Sequence, residues 1–274
     1  MTDAFWRDPP WSGGKGGYRM GLHPIAPEQW LPDRISAAER TRKQQLLDDP
    51  DSGVFAAIDG SQSGQQKILD AVTAFLGTDA APPSDAWPPL VNAALMVPDD
   101  LCLMEHDAGS YRLTAACVCS PSFWRLAEKI GRTLDGIHAP VPTLNDKLAP
   151  TMLQFFDRLP DNAVFERRNW LIHTSAEPYH PQSDPWPSTP ATQVDGLVMR
   201  SERQTLRRLD AGTVVFTIRV SSYPLTDIVS HRNAARDLLA ALATKDDAER
   251  SATGYRYFGP VVVNFLTSLT QARP

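Results

Sequence analysis

The chain has 274 residues, 42% of them hydrophobic and 22% charged, with a formal net charge of -5. That length suits one large domain or two small ones, the apolar share suffices for a core, and the mild acidity excludes the basic footprint of a nucleic-acid binder. No apolar run reaches the roughly 18 residues of a membrane span, and "MTDAFWRDPPWSGGKGGYRMG" shows no charged segment leading into an apolar one, so no membrane partner, no signal peptide and a cytoplasmic location are expected.

Proline, at 24 residues, divides the chain. Residues 1 to about 30 are rich in Gly, Pro and Trp and read as an extended arm that packs through its aromatics. "SAAERTRKQQLL" (Ser36–Leu47) predicts a helix with a serine start signal, and "SGQQKILDAVTAFLG" (Ser63–Gly77) an amphipathic helix stopped by glycine. After the proline-rich connector "TDAAPPSDAWPPL", two β-type runs flank "DAGS" in "DLCLMEHDAGSYRLTAACVCSPS" (Asp100–Ser122), a hairpin signal. "FWRLAEKIG" and "TLDGIH" read as short helices, and "TLNDKLAPTMLQFFDRL" (Thr143–Leu159) as a longer one bent or interrupted near Pro150. Three strands follow: "AVFERRNWLIH" (Ala163–His173), "GLVMRSERQTLRRL" (Gly196–Leu209) and "GTVVFTIRVSSY" (Gly212–Tyr223). The long proline-rich stretch between the first two reads as a surface loop. "HRNAARDLLAALATKDDAER" closes the chain as a C-terminal helix.

The expected architecture is therefore α+β: an antiparallel five-stranded sheet with helices over one face, an N-terminal helical extension and a C-terminal helix. The division runs 1–84, 85–224 and 225–274. Strand pair, helical crossing and strand triplet together resemble a PAS domain, in which a ligand sits between helices and sheet.

Cys102, Cys117 and Cys119 are too few and too unevenly spaced for an iron–sulfur cluster or a four-ligand zinc site, and read as small buried strand residues. The chain has no GxGxxG after a strand, no P-loop, no HExxH and no GxSxG.

"LTAACVCSPSFWRLAEKIGRTLDGIHAPVP", then "RRNWLIH", then "RSERQTLRRL" with "VVFTIRV", closely resemble the α-subunit family of haem-dependent oxidative N-demethylases, a PAS-type haem enzyme family. The resemblance runs from about Tyr18 to Tyr223. It implies haem b, O2 activation and conversion of a small N-methylated amine to a demethylated amine plus formaldehyde. It also implies electrons from a separate flavin and iron–sulfur reductase, since this chain has no nucleotide fingerprint and no cluster-ligand set. A haem PAS gas sensor or a plain ligand-binding protein is the alternative, although a sensor normally carries an output module and this chain shows none.

Under that resemblance His138, in "EKIGRTLDGIHAPVP", is the expected axial ligand of the iron, because imidazole is the commonest protein donor and Pro140 and Pro142 restrain its backbone. His173 is the competing ligand; His23, His106, His180 and His231 read as solvated. In "RSERQTLRR", alternation sends Arg200, Glu202 and Gln204 to one face and Ser201, Arg203 and Thr205 to the other. Glu202 is expected to pair with a cationic amine, and Arg203 or Arg219 to meet a propionate or O2, but Glu202 and Arg203 cannot share the pocket face. Arg200 is a further candidate for cofactor contact. Arg168 and Trp170 share a face, where Trp170 either packs a core or walls the pocket. The plainer reading of this strand is a charged outer surface of solvated salt bridges.

Overall fold

The computed structural model describes residues 2–16, 19–77, 84, 86–138, 142–182 and 189–271, with the side chains of Thr2, His138 and residues 142–149 outside that description. The N-terminal arm contains a short helix, α1 (Thr2–Arg7), where an extended segment was expected, and its Trp6 and Trp11 are buried. A three-residue strand, β1 (His23–Ile25), leads to α2 (Ala37–Asp48), which starts as its sequence predicts. The Ser36 hydroxyl accepts from the Glu39 N–H, and the Glu39 carboxylate accepts from the Ser36 N–H. A second short strand, β2 (Phe55–Ala57), precedes α3 (Gln62–Leu76), which stops at Gly77 with φ 74°, and α4 (Pro89–Ala94).

The predicted hairpin is β3 (Asp100–Asp107) and β4 (Ser110–Cys117). Ala108 and Gly109, at φ 48° and 84°, make the two-residue connection whose twist matches the strands. The expected helix at "FWRLAEKIG" is only a 3-10 turn, Leu126–Glu128. Then come α5 (Leu134–His138) and α6 (Pro142–Arg158), which runs through Pro150 as one helix. The strands β5 (Val164–His173), β6 (Val198–Asp210) and β7 (Thr213–Pro224) follow. The chain ends in three helices rather than one: α7 (Arg232–Ala243), α8 (Asp247–Ala252) and α9 (Tyr255–Gln271).

The strands form one antiparallel open sheet in the order β1-β5-β6-β7-β3-β4-β2. The five predicted strands are its long members; β1 and β2, three residues each, add a strand at either edge and raise the expected five to seven. Nor do the helices keep to one face. Leu101, Leu103, Ala115, Cys117 and Val215 pack against α3 and α4 on the first face. Further along that face, Ile172 and Met199 meet Trp6, Trp11, α7 and α9. Cys102, Met104, Leu206 and Val214 pack against Leu134, Phe156 and Leu159 on the second. The correction has a simple cause: "LCLM" in β3 is apolar at both parities, the mark of a strand covered on both sides. Each such aliphatic side chain contributes about 1.5–3 kcal/mol by leaving water. A bulge helps distribute them. Leu103 pairs with Ala115 and Met104 with Leu113, so Thr114 is the extra residue, and Leu113 turns to the second face while Ala115 stays on the first.

Buried Arg208 fixes α6 over the second face. Its Nε donates to the Leu159 carbonyl at 2.6 Å, and Nη2 donates to the Phe156 carbonyl and to the Tyr111 hydroxyl. A cation at these last carbonyls suits a helix C-terminus.

Candidate functional site

Alternation along β6 and its register with β5 and β7 sort the charged residues between the two faces. Arg203 pairs with Arg168 and Arg219, and Glu166 with Thr205, all on the first face. There Arg203 Nε donates to Glu166 at 2.6 Å, and its other nitrogens donate to the Trp30 and Gln29 carbonyls. Arg168 reaches the same Glu166 at 3.2 Å, and Arg219 meets Glu39 at 2.6 Å and Asp33 at 3.5 Å. Trp170, on this face too, sits edge-on to Trp11 at 5.3 Å with Lys245 over its ring. Arg168, Trp170, Arg203 and Arg219 are thus committed to partners that bind the N-terminal segment and the C-terminal helices to the sheet.

The second face is built differently. Glu202, 8% exposed, lies beside Asn169 in register. Its Oε1 accepts from the Ser122 hydroxyl at 2.6 Å, and its Oε2 accepts from Gln204 at 2.9 Å and Asn169 at 3.3 Å. All three donors are neutral, and among the described residues no cation reaches Glu202 within ion-pair distance. A carboxylate has about four acceptor positions, so room remains for a further donor. Around it Leu171, Phe216, Ile218 and Val220 are only half-buried.

Arg200 closes one end of this face. It is fully buried, and its Nε donates to Ser122 Oγ at 2.8 Å while the other nitrogens donate to the carbonyls of Ser120, Pro121, Glu177 and Pro178. It ties the loops after β4 and β5 together and holds the hydroxyl that holds Glu202. Those loops carry Phe123, a bulky residue at φ 65°, a backbone state that costs roughly 1–3 kcal/mol and clusters at ligand sites. Its ring stacks on His173 at 4.4 Å with an interplanar angle of 8°.

His180 lies 4.2 Å from His173, ring to ring, which corrects its reading as a solvated loop residue. Burial is the main cause lowering both pKa values, and His173 is pushed down to about 3. The Ser175 N–H donates to His173 Nδ1 at 3.0 Å, so the neutral ring carries its hydrogen on Nε2. His180 Nε2 is shut from solvent with no hydrogen-bond partner among the described residues. With its hydrogen on Nδ1 this ring would present a lone pair at Nε2, as metal-ligating histidines do. His138 ends α5, and its side chain lies outside the described residues.

Arg167 completes the face. It sits opposite Gln204, half-buried, with its Nε shut from solvent and unpartnered among the described residues. No cluster of three or more His, Cys, Asp and Glu among the described residues could hold a free metal ion, and none of their helices is long and apolar enough to cross a membrane.

One face locked largely by ion pairs and another bearing buried polar groups with spare valences define an α+β protein whose second face is the candidate for a ligand site. The chain belongs to the family described as haem-dependent oxidative N-demethylase, alpha subunit-like, whose model matches residues 54–262. A search of curated proteins returned no match. The second face fits the group in that description: half-buried apolar side chains suit a porphyrin surface, His180 Nε2 is a buried ring nitrogen without a hydrogen-bond partner, and Arg167 is a cation without an ion pair among the described residues. Sequence reasoning missed His180 and Arg167, because neither stands in a pattern that marks it off from a surface residue.

Proposed function

We propose that the chain is a haem-dependent oxidase that removes a methyl group from a small N-methylated amine. The observation that carries this reading is the buried carboxylate of Glu202, which no cation among the described residues reaches within ion-pair distance. A buried charge is costly unless paired, and a protonated amine supplies the pair. Ser122, Asn169 and Gln204 hold the carboxylate so that its open side is presented to the substrate, and the surrounding Leu171, Ile218 and Val220 keep water from the ammonium. Haem b, when bound, supplies the O2 chemistry. O2, two electrons and two protons convert the N-methyl group to formaldehyde, releasing the demethylated amine and one water. The electrons come from a separate flavin and iron–sulfur reductase in the cytoplasm. The domain is PAS-like: within the seven-stranded sheet the long strands run β5-β6-β7-β3-β4, with the first and last of the five side by side at the centre.

His138, at the junction of the two helices on this side of the sheet, is the proposed axial ligand of the iron. A specific observation favours His180 as the second candidate, namely its unpartnered Nε2. Spectra of the His138→Ala and His180→Ala proteins, reconstituted with haem, decide between them: loss of the wild-type ligand-field signature marks the ligand. Glu202→Gln keeps size and hydrogen bonding but removes the charge. Haem content should stay intact while the amine-induced spectral shift and amine turnover weaken tenfold or more, each tenfold being about 1.4 kcal/mol. Amine turnover equal to wild type would leave Glu202 a structural residue and favour the gas-sensing or ligand-binding alternative.

A further inference from the structure

Four arginines among the described residues have a buried Nε without a hydrogen-bond partner, Arg167, Arg207, Arg219 and Arg250; of these Arg219 reaches Glu39 and Asp33, and Arg250 reaches Asp247 at 3.9 Å. Two are explained by aromatic rings, since Arg207 lies over Trp30 at 4.5 Å and Arg250 over Tyr255 at 5.1 Å. Arg167 has no ring beneath it and no acceptor at any of its nitrogens among the described residues. Its position is the informative part. It lies on the second face, directly across from Gln204 and therefore diagonal to Glu202, the carboxylate with spare valences. Diagonal neighbours on one sheet face stand about 7–8 Å apart. Among the described residues the two make no hydrogen bond or ion pair with each other, and they stand close enough for one small molecule to touch both. Burial lowers the guanidinium's pKa from its ordinary value against the pull of Glu202, so the cation is held there at a cost.

We propose that Arg167 is the carboxylate receptor of this site. A guanidinium fork matches a carboxylate with two parallel N–H···O bonds. Two carboxylates can supply that chemistry: that of an N-methyl amino acid whose ammonium rests on Glu202, or a propionate of haem. The first source rests on the amine reading of Glu202 and sharpens it from a plain amine to a zwitterion; the second rests on haem binding.

The test uses the haem-loaded protein as wild type, Arg167→Gln, Arg167→Lys and Glu202→Gln, with calorimetric titration by N-methylglycine and by dimethylamine, and with the rate of haem transfer to an apo-globin scavenger. If the substrate supplies the carboxylate, Arg167→Gln weakens N-methylglycine binding tenfold or more, leaves dimethylamine within twofold, and Arg167→Lys recovers part of the loss. If haem supplies it, Arg167→Gln speeds haem loss tenfold or more and affects both amines alike. Binding and haem loss both within twofold of wild type would overturn the proposal. Should Arg167→Gln not fold, the same comparisons are made on Arg167→Lys, which keeps the charge but loses the fork. The outcome is separable from that of the proposed function. A Glu202→Gln protein that binds both amines normally defeats the amine reading without touching Arg167, and wild type without a Soret band defeats the haem reading while N-methylglycine titration still judges Arg167.

Discussion

The two faces of the sheet carry the same kinds of residue and treat them in opposite ways. On the first face Arg203 and Arg168 share Glu166, Arg219 takes Glu39 and Asp33, and Arg207 lies over the Trp30 ring. On the second face Glu202 has neutral hydrogen-bond donors but no ion pair, Arg167 has neither hydrogen bond nor ion pair, and His180 Nε2 has no hydrogen-bond partner among the described residues. Charges that are matched within the chain are settled by folding. A face with unmatched buried groups is finished by a ligand, because the desolvation already incurred is offset only when something binds.

Four measurements would break or sharpen that contrast. The largest effect is expected from Arg200→Ala, which removes a fully buried side chain bonded to Ser122 and four loop carbonyls. Stability should fall by about 3–5 kcal/mol, lowering Tm by roughly 10 °C; a shift under about 2 °C by scanning fluorimetry would refute the clamp. Glu166→Gln comes next. It deprives Arg168 and Arg203 of a carboxylate only 6% exposed, and should cost about 2–3 kcal/mol in a denaturant titration with amine binding unchanged. Glu202→Gln should show the reverse, a stability change within about 1 kcal/mol with amine binding reduced; like losses of stability in both would abolish the distinction between the faces.

The third effect is pH dependence. His173, held near pKa 3 against an ordinary 6.5, takes up its proton more readily unfolded, so it withdraws stability as pH falls from 6.5 towards 3, by about 1.4 kcal/mol per unit. Asp99, buried on the first-face side and raised to about 6, has the opposite sign: its carboxyl keeps the proton folded, and stability is lost as pH rises from about 4 to 6. Between pH 4 and 6 the two slopes oppose. Relative to wild type, His173→Gln should therefore gain stability steadily as pH is lowered through that window, which chemical denaturation at several pH values would read; parallel curves would mean that His173 titrates normally. The smallest effect belongs to Lys67→Ala. Its 2.6 Å pair with Asp210 is 42% exposed on both sides, so the loss should stay below about 1 kcal/mol.

The amino-acid sequence by itself determined what local chemistry controls. Ser36 and Glu39 cap α2, Gly77 stops α3, the short "DAGS" link makes the hairpin, and alternation in "RSERQTLRR" separates Glu202 from Arg203. The three cysteines are buried as read, Cys102 and Cys117 in strands and Cys119 just past the end of β4. What the sequence could not show depends on distance along the chain. β1 and β2 are too short to carry a period and exist only because β5 and β4 offer edges. Helices on both faces follow from how α3, α4 and α6 return to the sheet, and α9, with an internal proline, was passed over. The partner of Arg219 lies 180 residues away, and His180 is brought against His173 by a loop that Arg200 pins. Which charges are satisfied and which await a ligand was decided by tertiary structure alone, since a side chain's electrostatic cost is set by what the fold places within a few ångströms of it.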